Sequence, residues 1–143
     1  MAEEQKMDPQ EIMMQLKYLQ NIYGQQYEAL ENDIATYTVA NNSMQRNLDL
    51  LERSDSIQNS NIIISGEGGA YIPAKMGKMD YVITYVGAGY MVDMNVQDAA
   101  VFMRANQKKS EEFLNRLVSE RQRVERELMD ISFKMNQLQQ SQQ

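Results

Sequence analysis

The sequence contains no cysteine, no histidine and no tryptophan. A disulfide framework, a zinc site with thiolate or imidazole ligands and a catalytic centre built on Cys or His are therefore excluded. Only a site made of carboxylates could still hold a metal ion, and we predict neither a metal site nor any other cofactor. The lack of cysteine also gives no support for a secreted domain that depends on disulfides.

Positive charge is scarce as well, because 14 Lys and Arg residues stand against 20 Asp and Glu residues in a chain of 143. A net charge of −6 repels nucleic acid and anionic membranes, so neither is an expected partner. No apolar run approaches the roughly 20 residues that a membrane helix needs. The first residues, Met1 to Lys6, lack the basic start and apolar run of a signal peptide. We therefore expect a soluble cytoplasmic protein.

Glycine and proline, which interrupt helices, are concentrated in the middle of the chain. Six of the seven glycines lie between Gly66 and Gly89, and the two prolines are Pro9 and Pro73. The stretches on either side are rich in Gln, Glu, Leu, Met and Arg, which favour helix. The sequence therefore predicts helices over residues 8–57 and 95–140, separated by a different segment over residues 61–94.

Both predicted helices carry a start signal and an apolar seam. Asp8 with Pro9 can begin the first helix, and Asn95 can cap the second. Apolar residues then recur at alternating steps of three and four, which is typical of a coiled coil. Folding the chain back through its middle aligns the two seams without a gap and places Asn41 opposite Ser110.

The middle segment is predicted to form two β-hairpins, 61–65 with 70–74 and 81–86 with 90–94. Pro73 cannot donate a hydrogen bond to a ladder, so we expect its side of the strand to be an edge or irregular. Residues 81–86 are largely apolar on both faces, as in a strand that is covered on both sides. Hairpins of this size cannot bury their own apolar faces. We therefore expect an obligate oligomer held together by this segment.

Few residues of the chain suggest chemistry. Gly87-Ala88-Gly89 lacks the third glycine of a dinucleotide fingerprint and the Lys of a P-loop, so a hairpin turn is the favoured interpretation. The acidic pairs Glu3-Glu4 and Glu111-Glu112, like Lys108-Lys109, are expected on solvated surfaces. Because no pocket is implied around them, we predict no enzymatic activity.

The order helix, two hairpins, helix resembles the alpha class of prefoldin subunits, of archaeal type. The most specific similarity lies in residues 81–90, which read YVITYVGAGY, followed by Asp98-Ala99-Ala100. Residues 70–72 with Ala74 are also similar to the first hairpin of the family. Ser65 stands where the family usually has proline, and Pro73 stands where it usually has a residue able to donate. These two departures bear on the geometry of the first hairpin.

The resemblance implies one domain over residues 1–143, mainly α with a small β part. Its helices would form a long antiparallel two-helix coiled coil, joined by two β-hairpins that build a β-barrel between subunits. The implied function is that of an ATP-independent chaperone, in which two alpha and four beta subunits hold unfolded clients at the coiled-coil tips and deliver them to a group II chaperonin. The residues then expected at the oligomer interface are Ile62, Ile64, Tyr71, Val82, Thr84, Val86, Tyr90 and Val92.

Four apolar residues fall outside the seam near the free ends of the helices: Met13, Met14, Met129 and Phe133. Isolated exposed apolar residues are common and usually carry no function, but a cluster with flexible methionines suits promiscuous binding. Together with neighbours in the seam, the client-binding residues implied by the resemblance are Met13, Met14, Leu16, Met129, Phe133 and Met135. A structural scaffold or filament built from the same parts is the alternative.

Overall fold

The computed structural model describes residues 6–143, so the acidic pair Glu3-Glu4 lies outside the described residues. The protein is mainly helical, with two antiparallel hairpins and a long helix pair. Its elements in chain order are α1 (Pro9–Glu52), α2 (Ser54–Ile57), β1 (Asn61–Ser65), β2 (Tyr71–Lys75), β3 (Val82–Gly87), β4 (Tyr90–Met94) and α3 (Val96–Ser141), with a short 3₁₀ turn at Glu67–Gly69.

Both long helices begin at the residues that the sequence indicates. The backbone N–H of Gln10 donates to Oδ1 of Asp8 at 3.2 Å. The backbone N–H of Asp98 donates to Oδ1 of Asn95 at 2.7 Å, and Nδ2 of Asn95 donates back to the Asp98 carboxylate at 3.0 Å. These bonds satisfy N–H groups that the first helical turn leaves without a partner. The two caps are therefore confirmed, and the helices run for 44 and 46 residues.

The helix predicted over residues 8–57 is interrupted near its end. Helix α1 stops at Glu52, and Arg53 has φ −95° and ψ 14° before the single turn of α2. The hydroxyl of Ser56 donates to the carbonyl of Arg53 at 2.8 Å. Ser and Asp side chains compete with helical backbone hydrogen bonds in this way, so the sequence Ser54-Asp55-Ser56 favours an interruption.

The predicted strands agree with the observed ones to within one residue.

The chain divides into two compact units. The first, called unit 1 below, contains residues 6–38 and 112–143 of the described chain. Within it the two helices are antiparallel, because Glu31 pairs with Arg121 and the ring of Tyr37 packs edge-on against Phe113 at 4.8 Å between centroids. Its interior is a line of buried seam residues, namely Leu16, Leu30, Val124 and Ile131.

The second unit, called unit 2 below, spans residues 39–111 and carries both hairpins. Its core is made by α1 and the start of α3. The buried members are Leu48, Leu51, Ala99 and Ala100, with Met79, Val82, Met94, Val96 and Met103 packed against them. The small alanines at the start of α3 allow the two helices to approach closely where Leu48 is inserted.

A polar layer crosses the seam of unit 2. Asn41 is buried, with 9% of its surface exposed, and its Oδ1 accepts a hydrogen bond from the hydroxyl of Ser110. One turn further along α1, the side-chain amide of Gln107 donates to Gln45 at 2.6 Å. The prediction that Asn41 and Ser110 meet in one layer is therefore confirmed. A buried Asn in a seam fixes the register of the helices at some cost in stability.

Replacing Asn41 with Leu should stabilise the chain, because an apolar residue would then fill this seam position. Ser110 can return its hydroxyl bond to the carbonyl four residues earlier. We expect the melting temperature to rise by about 3 °C, which corresponds to about 1 kcal/mol for a chain of this size. Circular dichroism measures this rise. The control is Asn42→Leu, at an exposed neighbouring position, which should leave the melting temperature nearly unchanged. A lower melting temperature for Asn41→Leu would contradict the argument.

The hairpins form two separate two-stranded sheets within the described residues. In the first, Ile63 lies opposite Pro73. In the second, the register shifts by one residue between Tyr85 and Gly87, which is a β-bulge. The tight turn that follows has φ +51° at Ala88 and φ +80° at Gly89. Positive φ at both central residues is what a type I′ hairpin turn requires. The twist of this turn matches the twist of the two strands that it joins.

Candidate functional site

Large apolar side chains are exposed near the ends of both helices in unit 1. Met14 and Tyr18 on α1 are 71% and 66% exposed, and Met129 and Phe133 on α3 are 63% and 61% exposed. Each pair has a spacing of four residues, so its members lie on one face of their helix. We call these four residues the helix-end residues. The arrangement gives each helix an apolar strip that the chain itself leaves uncovered.

Three of the predicted client-binding residues are less exposed than the helix-end residues. Leu16 is only 8% exposed, and Met13 and Met135 are half-buried. Leu16 and Met135 belong to the seam, so their side chains are turned towards the opposite helix. Sequence reasoning missed Tyr18, although its spacing of four residues from Met14 is the signal that could have identified it.

The start of α1 and the end of α3 also enclose an open groove of about 380 Å³. The ammonium group of Lys134, at its rim, lies 2.9 Å from the carboxylate of Asp130, and this hydrogen bond raises the pKa of Lys134. The charge at the groove is therefore compensated locally, while its other surfaces are apolar or neutral. The lining residues are Ile12, Leu16, Lys134, Gln137, Leu138 and Ser141.

Ion pairs reinforce unit 1. The Arg123 guanidinium donates to Glu120, which lowers the pKa of that carboxyl and raises the pKa of Arg123. The hydrogen bond between Arg121 and Glu31 likewise raises the pKa of Arg121. The pair of Glu31 and Arg121 joins the two helices, whereas the pair of Glu120 and Arg123 lies within α3.

Strand β3 has one inner and one outer face in unit 2. Val82 packs against the core and Thr84 is only 2% exposed, whereas Ile83 and Tyr85 are 62% and 58% exposed. Val82 and Thr84, which the sequence assigned to the oligomer interface, therefore belong to the interior of this chain. The reason is the alternation of side chains along a strand, which sends Ile83 and Tyr85 to the opposite face.

The other predicted interface residues are mostly accessible. Ile62 is half-buried, and the exposed ones are Ile64, Tyr71, Val86, Tyr90 and Val92. The structure adds large apolar residues that sequence reasoning did not select, namely Ile63, Ile72, Tyr81, Ile83, Tyr85 and Met91. So many exposed Ile, Val and Tyr side chains on two short hairpins are unusual for a surface that stays in water.

An open groove of about 400 Å³ lies between the second hairpin and the helices of unit 2. Ile83 and Tyr85 line it on the hairpin, and the helices contribute Met44 and Phe102. The groove also reaches Thr84, whose hydroxyl has no hydrogen-bond partner among the described residues. None of the lining residues carries a charge, so the surface suits an apolar partner.

The described residues 6–143 contain no group of three or more acidic side chains that could hold a metal ion. Gly87 and Gly89 lie at the end of a hairpin, as the sequence predicted. Neither long helix of the described chain is apolar enough to cross a membrane.

Comparison with known proteins then decides the family. Residues 23–141 match the prefoldin family, described as prefoldin subunit. The chain belongs to the prefoldin family. No curated protein matches the sequence.

A solved prefoldin has a similar fold. It is the filamentous prefoldin of Methanocaldococcus jannaschii, determined by cryo-electron microscopy, with 18% sequence identity and a TM-score of 0.55. The similarity covers 85% of this chain and 95% of that one. At this identity it shows the fold alone, which for prefoldin is the helix pair with two hairpins described above.

Membership in the prefoldin family places the chain among chaperone subunits that are not enzymes. It also implies assembly with other prefoldin subunits. The resemblance noted in the sequence is therefore confirmed for the family, and the alpha class is consistent with it.

Proposed function

We propose that this prefoldin subunit is an ATP-independent holdase that captures unfolded proteins with its helix-end residues. The observation that carries the proposal is the exposure of Met14, Tyr18, Met129 and Phe133, each more than 60% accessible. An unfolded chain exposes apolar side chains, and burying apolar surface is favourable whatever the sequence of the partner. Methionine adapts its shape to different partners, which suits a surface without sequence preference.

The assembly would multiply these weak contacts. We propose that two copies of this alpha-class subunit and four beta-class subunits join through their hairpins in a β-barrel. Several helix ends would then hold one client at once, which raises avidity without any new type of contact. Delivery of the client to a group II chaperonin, in the cytoplasm, completes the proposal and follows from the resemblance to the alpha class.

The test replaces all four helix-end residues with Gln and follows the aggregation of a chemically unfolded enzyme by light scattering, without ATP. We expect the variant to need about tenfold more protein than the wild type for the same suppression, since each lost contact weakens a multivalent grip. These positions lie outside the buried seam, so helical content and oligomer mass should stay unchanged. Undiminished suppression by the variant would place client capture elsewhere.

A matched control removes apolar side chains of similar exposure from unit 2. Val39, Leu50 and Val101 are 65%, 49% and 64% exposed, and each is changed to Gln. This triple variant should suppress aggregation as well as the wild type does. If both variants lose suppression equally, the loss of any exposed apolar side chain has the same effect, and the helix-end residues have no special role.

A second candidate is a structural filament subunit. It is supported by the similarity in fold to a prefoldin that is described as filamentous. The two candidates differ in the assemblies they form. Native mass spectrometry of the chain with and without a beta-class prefoldin separates them, because a closed hetero-hexamer supports the holdase and an open-ended homopolymer supports the filament.

A further inference from the structure

Methionine is the only sulfur-containing residue of this protein, which has twelve methionines and no cysteine. A peroxide oxidises the thioether sulfur of an accessible methionine to a sulfoxide, and the chain offers no thiol that would react instead. The sulfoxide is polar, whereas the thioether is apolar. Reductases return the sulfoxide to methionine, so the change is reversible.

The structure separates these methionines by exposure. Met14 and Met129, both helix-end residues, are 71% and 63% exposed. Met79, Met94 and Met103 instead pack against the core of unit 2. An oxidant must reach the sulfur to react with it, so the methionines at the helix ends should be oxidised well before those of the core.

Two further methionines are exposed in other parts of the described chain. Met91 on β4 is 66% exposed, and Met7, which precedes α1, is 44% exposed. Met91 lies on a hairpin, where the assembly proposed above would cover it. Neither residue lies beside an exposed aromatic side chain of a long helix, and both serve below as a background that the test holds constant.

The location of Met14 and Met129 determines what their oxidation does to the fold. Both lie outside the buried seam, so a sulfoxide at either position stays in water and leaves the packing of Leu16 and Ile131 undisturbed. A sulfoxide at Met103 would place a polar group in the packed cluster, which is unfavourable without a hydrogen-bond partner. Oxidation at the helix ends therefore changes the surface and preserves the fold.

Each of the two exposed methionines is followed four residues later by an exposed aromatic residue. Tyr18 follows Met14 on α1, and Phe133 follows Met129 on α3. Residues four apart are neighbours on one helix face, and the later side chain leans towards the preceding turn. Oxidation of the two sulfurs therefore puts a polar group into both apolar strips and removes half of their large apolar side chains.

We propose that Met14 and Met129 are sites of reversible oxidation by a peroxide, and that their oxidation weakens client capture. A sulfur lone pair attacks one peroxide oxygen, an S–O bond forms as the O–O bond breaks, and the second oxygen leaves as water after proton transfer. The sulfur loses two electrons and the peroxide gains them. The inference rests on the proposed function, because it adds a means of regulating the same surface.

The first measurement follows the oxidation itself. The full-length protein is treated with hydrogen peroxide, and peptide mass spectrometry gives the fraction of sulfoxide at each methionine over time. We expect Met14 and Met129 to be oxidised about tenfold faster than Met103, because the packed sulfur is shielded. Equal rates at the three positions would overturn the proposal.

The second measurement compares the wild type with the double variant Met14→Leu/Met129→Leu. Leucine is apolar and of similar volume but has no sulfur to oxidise. Met7 and Met91 remain in both proteins, so their oxidation contributes equally. Each protein is compared with its own untreated sample, and the measured quantity is the factor by which peroxide treatment raises the amount of protein needed to suppress aggregation.

We expect this factor to be about three for the wild type, since two of four contacts at each pair of helix ends are lost, and close to one for the variant. Treatment with methionine sulfoxide reductases for both sulfoxide epimers, with a thiol reductant, should return the wild type to its starting activity. Circular dichroism should show unchanged helical content throughout. Equal factors for the two proteins would overturn the proposed regulation, because another residue would then carry the effect.

Failure of the proposed function is recognised separately. If the four-residue Gln variant suppresses aggregation as well as the wild type does, the helix ends do not capture clients, and the regulatory part of the inference is rejected with the holdase. The oxidation rates are measured without any client. Faster oxidation of Met14 and Met129 than of Met103 would still support these two residues as the modification sites.

Discussion

We expect that replacing Ile83 and Tyr85 with Asp prevents assembly with other prefoldin subunits and leaves the helical content intact. Both side chains lie on the outer face of β3, at 62% and 58% exposure, so the separated chain tolerates charge there. The assembly proposed above, through the hairpins, would cover this face. Burying each of these side chains contributes about 1.5–3 kcal/mol, and a buried carboxylate without a partner costs more than that.

The uncharged groove beside these residues strengthens the expected effect. Its helical wall includes Met44 and Phe102, and none of its lining residues offers a positive charge to an introduced aspartate. Native mass spectrometry with a co-expressed beta-class prefoldin measures the loss of assembly. Circular dichroism checks that the helices remain. If the doubly substituted chain still forms the full assembly, the outer face of the second hairpin is not part of the interface.

A matched control separates charge from position. Asn59→Asp and Gln97→Asp add the same two negative charges at exposed positions of unit 2 outside the strands. This control should assemble like the wild type. Val82→Asp is a poor test of assembly by comparison, because Val82 packs against Leu48 and its neighbours in the core. A charge there would destabilise the single chain and prevent assembly indirectly.

The sequence predicted the features of the fold that depend on local patterns. Asp8 and Asn95 were identified as caps because a short polar side chain before an apolar repeat has one favourable role. Asn41 and Ser110 were paired because a seven-residue repeat fixes the alignment of two helices along their whole length. The glycine-rich turns divided the middle segment into hairpins for the same reason, since few residues accept a positive φ.

Features that depend on tertiary packing could not be predicted from such local patterns. In β3 both alternate sets of residues are apolar, so the sequence offers no sign of which face contacts the helices. Val82 and Thr84 were therefore predicted at the interface, while the structure exposes Ile83 and Tyr85. The end of α1 at Glu52 was missed because the competition between Ser54-Asp55-Ser56 and the helical backbone is weak, and packing decides it.

The exposed residues near the helix ends were predicted only in part. The heptad assignment placed Met14 and Phe133 outside the seam, where both are exposed. Tyr18 was missed because tyrosine is compatible with either a seam or a surface, and Leu16 was included although its seam position turns it inward. Residue type alone does not separate a side chain that binds a partner from one that fills the coiled coil.

The stability of unit 2 depends on a core so small that a single truncation should be costly. Leu48 is 2% exposed and packs beside Leu51, Ala99 and Ala100, the other buried members of the cluster. Its neighbour Leu50 has the same side chain on the same helix and is 49% exposed. Leu48→Ala leaves a cavity that two alanines cannot fill, whereas Leu50→Ala removes only surface that water already reaches.

We therefore expect Leu48→Ala to lower the free energy of unfolding by about 2–5 kcal/mol, the range for truncation of a buried leucine. Leu50→Ala should change it by less than about 0.5 kcal/mol, as exposed substitutions do. Urea titration followed by circular dichroism, at one fixed chain concentration, measures both values, because assembly makes stability depend on concentration. Equal losses in the two variants would show that the packing around Leu48 does not hold unit 2 together. A much larger loss for Leu48 would identify this cluster as the support on which the hairpins depend, since Val82 and Met94 pack against it from the second hairpin.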